Sequence, residues 1–276
     1  MLRLREAPRE EPEMLRTVIQ PVKHGLIVHL TTLFGPPFGE IHREPDVLWF
    51  RTGDPDPYRN GILDAVLTPD RQGEQIDRLL EPFKAEEQPM MWWFFTGPLG
   101  LRPFTHRLLI DRGLFVESDR PAMTLDLSRY SPFTLPRNLE VRRVENEDEF
   151  RWWVDVAADA FQTPNRYASI STLSFKSQGF GEDAPFQHYV SLLSGTPVGS
   201  ATMTLAGDVS SFGNIGTRRD FRRRGIARAT LGRALSDARR RGLSIASLSA
   251  DPEGALLYRD LGFETVGRHL TYVWKP

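Results

Sequence analysis

Two short segments near the C-terminus have residue types and spacing that could act on a phosphorylated ligand. The first, residues 221–228, reads Phe-Arg-Arg-Arg-Gly-Ile-Ala-Arg and stands between a strand pattern and a long amphipathic helix pattern. A glycine-containing turn at a helix N-terminus presents backbone N–H groups that bind anions. The second, residues 257–263, reads Leu-Tyr-Arg-Asp-Leu-Gly-Phe and places Tyr258 on a short helix that ends at a glycine. A phenol with a pKa of about 10 is protonated at neutral pH and can donate a proton to a leaving group.

The arginines around the first segment have a second possible role. Arg218, Arg219, Arg222, Arg223, Arg224 and Arg228 give a local positive field that suits phosphate groups. Such a run of charge is also found on solvated helix faces and on nucleic-acid patches. Its position between a strand and a helix favours the anion-binding interpretation.

The composition limits the class of protein. The chain has 276 residues, of which 40% are hydrophobic and 26% charged, which is typical of a globular protein. A formal net charge of −1 gives no reason to expect a nucleic acid or an anionic membrane as a partner. The absence of cysteine excludes disulfides, thiolate catalysis and cysteine metal ligands. No apolar segment of membrane-span or signal-peptide type is present, so a cytoplasmic location is expected.

A segment with two prolines, residues 131–138, divides the chain. We therefore predict an N-terminal domain over residues 1–134 and a C-terminal domain over residues 135–276. Asn146 or Asp148 can cap the first helix of the second domain. The predicted elements of that domain are strand 139–144, a helix carrying residues 150–161, hairpin strands 186–193 and 198–205, strand 209–217, helix 225–241, strand 244–249, helix 252–261 and strand 263–274.

The N-terminal half repeats part of this pattern. An apolar strand over residues 90–95 follows an amphipathic helix over residues 76–83, as strand 244–249 follows helix 225–241. When the two halves are aligned in sequence, Tyr258 falls on Leu109, and the phosphate-binding turn has no counterpart in the first half. The first half therefore reads as a degenerate copy without the chemistry. The aromatic run at residues 92–95 is predicted to be a buried strand, whose alternate residues could line a groove between the halves.

Together, the arginine turn and the tyrosine helix resemble the acyl-CoA pyrophosphate loop and the tyrosine-bearing helix of the GCN5-related N-acetyltransferase (GNAT) family. The element order over residues 139–276 is also that of the family. The resemblance implies an α+β fold of two GNAT-like mixed-sheet units in tandem, with helices on both faces of each sheet. It implies acetyl-CoA as co-substrate and a primary amine of a small molecule or peptide as acceptor. No metal is expected, because the histidines have no recognised ligand spacing. The turn and the resemblance together give these cofactor-binding residues: Ile215, Gly216, Thr217, Arg222, Arg223, Arg224, Gly225, Ile226, Ala227 and Arg228.

Acyl transfer also needs an acid for the leaving thiolate and a base for the amine. Tyr258 is the candidate acid; the alternative is an aromatic packed between helix and sheet, with its hydroxyl bonded to the backbone. Strands 198–205 and 209–217 carry no carboxylate, so no base is evident. Asp208, His188 and Glu182 are candidates for which an ordinary turn or surface role outweighs catalysis, and a water-mediated base or a neutral amine is preferred. We expect direct transfer, because the chain has no cysteine and no histidine-paired serine motif.

Two other functions stay open. One is a CoA-binding sensor or scaffold without turnover; the missing strand carboxylate favours it, and so does Asp251, which stands where the family usually has asparagine. The retained Tyr258 counts against it. The other is an aminoacyl or peptidyl transferase on the same fold, against which the near-neutral charge counts.

Overall fold

The computed structural model describes residues 13–162 and 170–276, which form one continuous mixed sheet covered by helices. The strands are β1 (Glu40–Glu44), β2 (Val47–Arg51), β3 (Asn60–Ala65), β4 (Met90–Thr96), β5 (Phe115–Asp126), β6 (Leu139–Arg143), β7 (Phe186–Leu193), β8 (Thr196–Ala206), β9 (Val209–Thr217), β10 (Ile245–Ser249) and β11 (Glu264–Trp274). The helices of these residues are α1 (Glu13–Phe34), α2 (Gln72–Lys84), α3 (Pro103–Ile110), α4 (Glu147–Phe161), α5 (Ile170–Ser177), α6 (Ile226–Arg240) and α7 (Ala255–Asp260).

The two halves of the chain exchange their last strands at the centre of the sheet. The strand order is β1-β2-β3-β4-β11-β5-β10-β9-β8-β7-β6. β11, the last strand of the second half, pairs with β4 of the first half, and β5 of the first half pairs with β10 of the second. β5 and β11 also pair with each other. Backbone hydrogen bonds therefore join the halves into a single sheet.

Each half contains one pair of parallel strands, β3 with β4 and β9 with β10, whereas the other neighbours in the sheet are antiparallel. The order helix, strand, helix, strand also occurs twice, as α2-β4-α3-β5 and as α6-β10-α7-β11. This repetition confirms the prediction of two GNAT-like units in tandem.

Local signals in the sequence explain the helices of the second half. Asn146 caps α4, because its side chain accepts a hydrogen bond from the Glu149 N–H at 3.0 Å. In α6, Ile226, Leu231 and Leu235 are buried, as their helical spacing predicts. Both helices therefore agree with the sequence-based prediction.

Helix α1 is not evident from the sequence, since Pro21 lies inside it and removes one backbone N–H. The helix crosses the centre of the sheet and packs on strands of both halves, from β4 through β11, β5, β10 and β9 to β8. Gly25 allows this close approach, because a Cβ there would lie 2.5 Å from the Ser211 Cβ. Tertiary packing therefore outweighs local propensity in this segment.

The aromatic run at residues 92–95 lies in β4, as predicted. Trp92 packs in the core under α2 and α3, together with Ile76 and Leu109. Trp93 lies on the opposite face, in the core with Leu30 and Leu33 of α1. Alternation along the strand thus places Trp93 beside the centre of the molecule.

Helices α2 and α3 of the first half are in direct contact with each other. The buried Thr105 hydroxyl of α3 donates a hydrogen bond to Gln72 Oε1 at the start of α2, at 2.7 Å. Arg112 after α3 also forms an ion pair with Asp77 of α2 at 2.6 Å. Direct contacts therefore join α2 to α3, whereas a cavity separates their counterparts α6 and α7, as the next section describes. None of the helices in residues 13–162 and 170–276 combines the length and apolar character needed to cross a bilayer.

Candidate active site

The cleft of the second half forms where two parallel strands part. β9 and β10 pair only from Val209 with Ile245 to Ser211 with Ser247. Beyond that point β9 continues to Thr217 without β10 as its partner, and α6 and α7 follow the two diverging strand ends. The space between the two helices opens on one side toward the loop before α6 and on the other side toward the centre of the molecule.

The first cavity in this space, the donor cavity, has a volume of about 650 Å³. It brings together the loop before α6, the end of β9 and the tyrosine of α7, as the sequence predicts. Arg224 alone among the ten predicted cofactor-binding residues does not line it, since its side chain lies over the Phe221 ring. The lining residues are Ala160, Phe161, Ile215, Gly216, Thr217, Arg222, Arg223, Gly225, Ile226, Ala227, Arg228, Asp251, Pro252, Glu253, Gly254, Leu257 and Tyr258.

Two left-handed residues shape the loop before α6. Arg223 has φ of 60° and Gly225, the N-cap of the helix, has φ of 75°. The first intrahelical hydrogen bond runs from the Ala229 N–H to the Gly225 carbonyl, at 3.0 Å. The N–H groups of residues 226–228 precede that bond and have no partner within the helix. A curled backbone with several such N–H groups at a positive helix end is suited to a diphosphate.

Arginine side chains complete this end of the donor cavity. Arg222 ties the loop to the end of α4, because its Nη2 donates to the Ala160 carbonyl at 2.9 Å. Arg228 lies over the Phe133 ring at 4.8 Å. Together with Arg223 they give the donor cavity three guanidinium groups. This charge pattern is suited to an anionic ligand with several phosphates.

A β-bulge displaces the end of β9 along the donor cavity. The register with β8 shifts between Gly213 and Gly216, and Asn214 has φ of 51°. Gly216 must be small, because a Cβ there would lie 2.8 Å from the Ala160 Cβ of α4. The bulge interrupts the regular ladder at the point where residues 215–217 form part of the cavity wall.

Tyr258 stands where the donor cavity meets a second cavity. Its side chain is 8% exposed, and its hydroxyl has no hydrogen-bond partner within residues 13–162 and 170–276. Burial raises the pKa of the phenol, and the Asp251 carboxylate raises it further, while Arg120 opposes the shift. The described structure therefore gives no backbone partner for the hydroxyl, which was the structural alternative to a catalytic role. The neutral phenol is available as a proton donor.

Asp251 forms an ion pair with Arg120 of β5, at 3.1 Å. The arginine comes from the first half of the chain, and both residues line the second cavity. The pair compensates the negative charge that Asp251 brings to the donor cavity. This contact weakens the objection to an anionic cofactor that the sequence raised.

The second and third cavities, of about 330 and 270 Å³, share walls and together form the acceptor cavity. Both halves build it: α1 contributes His29, β4 contributes Trp93, and β9 contributes Phe212. The groove between the halves, which the aromatic run predicted, is therefore present. The side chains and backbone shared by both parts are His29, Tyr58, Arg120, Phe212, Gly213, Asn214 and Ser249.

None of the three base candidates from the sequence lines these cavities. His188 is buried among Phe150, Trp153 and Phe175, and its Nδ1 lies 2.9 Å from the Thr202 hydroxyl. Burial lowers its pKa to about 3. Asp208 is exposed in the turn between β8 and β9, and Glu182 forms an ion pair with Arg143 at 3.2 Å.

The acceptor cavity instead contains a serine–histidine pair that the sequence analysis missed. Ser249 Oγ on β10 lies 2.7 Å from His269 Nδ1 on β11. The sequence has no histidine-paired serine motif, and this pair forms only in the folded sheet. The two residues belong to strands that are not neighbours in the sheet, because β5 of the other half lies between them. Only knowledge of the strand exchange would have revealed the pair.

Comparisons with known proteins agree with this architecture. Residues 184–265 match the family model described as an acetyltransferase (GNAT) domain. The second half of the chain thus contains a GNAT-type acetyltransferase domain. No curated protein sequence matches the chain significantly.

Solved structures extend the likeness to the whole chain. A GCN5-related N-acetyltransferase from Kribbella flavida is 17% identical, with a TM-score of 0.69 over 92% of this chain and 95% of that one. A GCN5-related N-acetyltransferase from Sphaerobacter thermophilus is also 17% identical, with a TM-score of 0.61 over 92% and 93%. A tandem GNAT protein from the clavulanic acid biosynthesis pathway is 15% identical, with a TM-score of 0.58 over 95% of each chain. At these identities the likeness shows the tandem GNAT fold.

Proposed function

We propose that the protein transfers an acetyl group from acetyl-CoA to a primary amine of a small molecule or peptide. The observation that carries the proposal is the meeting of the donor cavity and the acceptor cavity at the Tyr258 ring. A sensor would need only the first cavity, whereas acyl transfer needs two ligands that meet at an acid. The proposed domains remain residues 1–134 and 135–276, and a cytoplasmic location, where acetyl-CoA is available, is part of the proposal.

The loop before α6 is suited to the pyrophosphate of CoA. The N–H groups of residues 226–228 and the positive end of α6 would face the phosphates, and the helix dipole contributes about 0.3–1 kcal/mol at such sites. Arg222, Arg223 and Arg228 add charge at the same place. The fit rests on backbone shape, because Gly225 adopts the left-handed conformation that glycine favours.

The bulged end of β9 would hold the acyl end of the donor. Residues 215–217 line the donor cavity together with Tyr258. A backbone N–H of this segment would donate to the thioester oxygen as negative charge develops there. After the amine attacks, the C–S bond breaks and the Tyr258 hydroxyl donates its proton to the thiolate. Because burial raises the pKa of this phenol, it remains protonated throughout the neutral range.

The acceptor would enter from the side opposite the donor, between the two halves. Aromatic rings of Tyr58, Trp93 and Phe212 form its apolar walls, and Ser249 and Arg120 provide polar groups. A combined space of this size accommodates a small molecule or the end of a peptide. The first half would therefore serve the reaction by shaping the acceptor cavity, although its sequence has no counterpart of the phosphate-binding turn.

The test is thiol release from acetyl-CoA in the presence of a panel of primary amines, such as phenylethylamine, spermidine, glucosamine and the common amino acids. Calorimetric titration with acetyl-CoA is run beside it. We expect micromolar binding and amine-dependent thiol release. Binding without release on any amine would favour the CoA-sensor alternative, and absence of both would refute the proposal.

A further inference from the structure

Ser249 and His269 meet because the residue between them is small. In the register of the sheet, Ser249 of β10 lies opposite Ala122 of β5, and Ala122 lies opposite Gly267 of β11. His269 is two residues beyond Gly267 and therefore lies on the same face. Ala122 packs under α1 and has no side chain long enough to separate the two polar groups. The Oγ and Nδ1 atoms consequently reach a distance of 2.7 Å.

The surroundings of His269 hold the ring in one orientation. The ring stacks on Phe95 of β4, with a centroid distance of 4.6 Å and an interplanar angle of 11°. The side chain is 6% exposed, and its Nε2 has no hydrogen-bond partner within the described residues. Burial and the Arg120 charge lower its pKa to about 3, so the imidazole is neutral at physiological pH. A neutral ring can accept the Ser249 hydroxyl proton at Nδ1, which leaves the serine oxygen as an acceptor toward the cavity.

Other polar groups of the acceptor cavity are less suited to take a proton from an amine. Asp251 is held by Arg120, and Glu117 is exposed on β5. His29 on α1 is the main rival, since it also lines both parts of the acceptor cavity. Its Nδ1 lies 2.8 Å from the Thr204 hydroxyl, and Thr204 lines neither part of the cavity. Ser249 does line both parts, and its hydroxyl connects the cavity to His269 Nδ1.

We propose that Ser249 and His269 form the proton relay on the amine side of the reaction, an inference that rests on the proposed acetyltransferase function. The amine nitrogen forms the new bond to the acetyl carbon, and the C–S bond breaks. The proton of the attacking nitrogen passes to Ser249 Oγ, whose own proton passes to His269 Nδ1. Tyr258 supplies the proton of the departing thiol. Negative charge on the reacting carbonyl raises the proton affinity of the imidazole at the moment of transfer.

The chain offers a matched control for each member of the pair. Ser247 lies two residues before Ser249 on the same strand; its hydroxyl is buried, and it lines none of the three cavities. His188 is a second buried histidine with a hydroxyl at Nδ1 and an unpartnered Nε2 among the described residues, and it also lies outside the cavities. Each control removes the same kind of group without touching the acceptor cavity.

The experiment measures kcat with acetyl-CoA and the best amine of the panel, together with the acetyl-CoA Kd and the melting temperature. We expect Ser249→Ala and His269→Gln to lower kcat by roughly 100-fold or more, as for loss of a general base, with an unchanged acetyl-CoA Kd. Ser249→Thr keeps the hydroxyl and should restore most of the activity. Ser247→Ala and His188→Gln should leave kcat as in the wild type.

Wild-type kcat in Ser249→Ala would overturn the relay, even if His269→Gln fails to fold. A loss confined to His29→Gln would overturn it as well. These outcomes differ from failure of the proposed function itself, in which the wild-type protein would show no amine-dependent thiol release and the relay would fall with it.

Discussion

The Gly225→Ala substitution tests how the left-handed conformation at the start of α6 affects stability and acetyl-CoA binding. Gly225 has φ of 75°, and a Cβ added there would meet no atom within 4 Å. The substitution therefore causes no collision, and its cost is the left-handed conformation itself. For a residue with a side chain that cost is about 1–2 kcal/mol. In a chain of this size each kcal/mol lowers the melting temperature by about 2–4 °C.

The loop can relieve this strain only by rotating away from the left-handed conformation. That rotation turns the N–H groups of residues 226–228, which would face the CoA pyrophosphate. A hydrogen bond to a charged group contributes about 1.5–3 kcal/mol. Because about 1.4 kcal/mol is a factor of ten, loss of one such bond raises the acetyl-CoA Kd roughly 10- to 100-fold.

Gly207→Ala is the control. Gly207 lies in the turn between β8 and β9, has φ of 65° and likewise has no atom within 4 Å of an added Cβ. Both variants should lose similar thermal stability, whereas only Gly225→Ala should weaken binding in a calorimetric titration with acetyl-CoA. Equal acetyl-CoA affinities in the two variants would refute the role given to the loop.

Three further predictions concern other groups. Tyr258→Phe should lower kcat by about 10²–10⁴-fold at unchanged acetyl-CoA affinity, as measured by thiol release; unchanged turnover would exclude it as the acid. Gly254→Ala should lower kcat in the same assay, because its Cβ would lie 2.8 Å from the Tyr258 ring and displace it; full activity would show that the ring position is unimportant. Stability should fall below pH 6.5, since unfolded imidazoles bind protons there, whereas burial lowers the pKa of both His188 and His269 to about 3 in the folded protein. Between those pH values each histidine lowers the free energy of unfolding by about 1.4 kcal/mol for every unit that the pH falls. Urea unfolding at pH 7 and 5 should therefore show a smaller loss of stability in His188→Gln than in the wild type.

Much of the second half could be predicted from the sequence, because its signals are local. Asn146, the N-cap of α4, lies three residues before Glu149, whose amide it binds. Gly225 marks the turn from which α6 begins. The donor cavity follows from the same signals. β9, the loop and α6 are consecutive in the chain, and α7 follows after β10. Short-range patterns thus specify the parts of the site that lie on adjacent elements.

The acceptor cavity could not be predicted, because its walls depend on contacts between distant segments. Helix α1 contains Pro21, and its position across the sheet is set by packing against both halves. The sequence predicts the last strand, β11, as an element of the C-terminal domain. It lies instead between β4 and β5, because the halves exchange strands. Such pairing leaves no local mark in the sequence, and the Ser249–His269 contact depends on it.

The most direct test of the donor site is a crystal structure of the protein with acetyl-CoA. We expect pyrophosphate density against the N–H groups of the loop before α6, with the thioester sulfur within hydrogen-bonding distance of the Tyr258 hydroxyl. Acetyl-CoA bound elsewhere, for example between α2 and α3, or no density for it at saturating concentration, would contradict the assignment of the donor cavity.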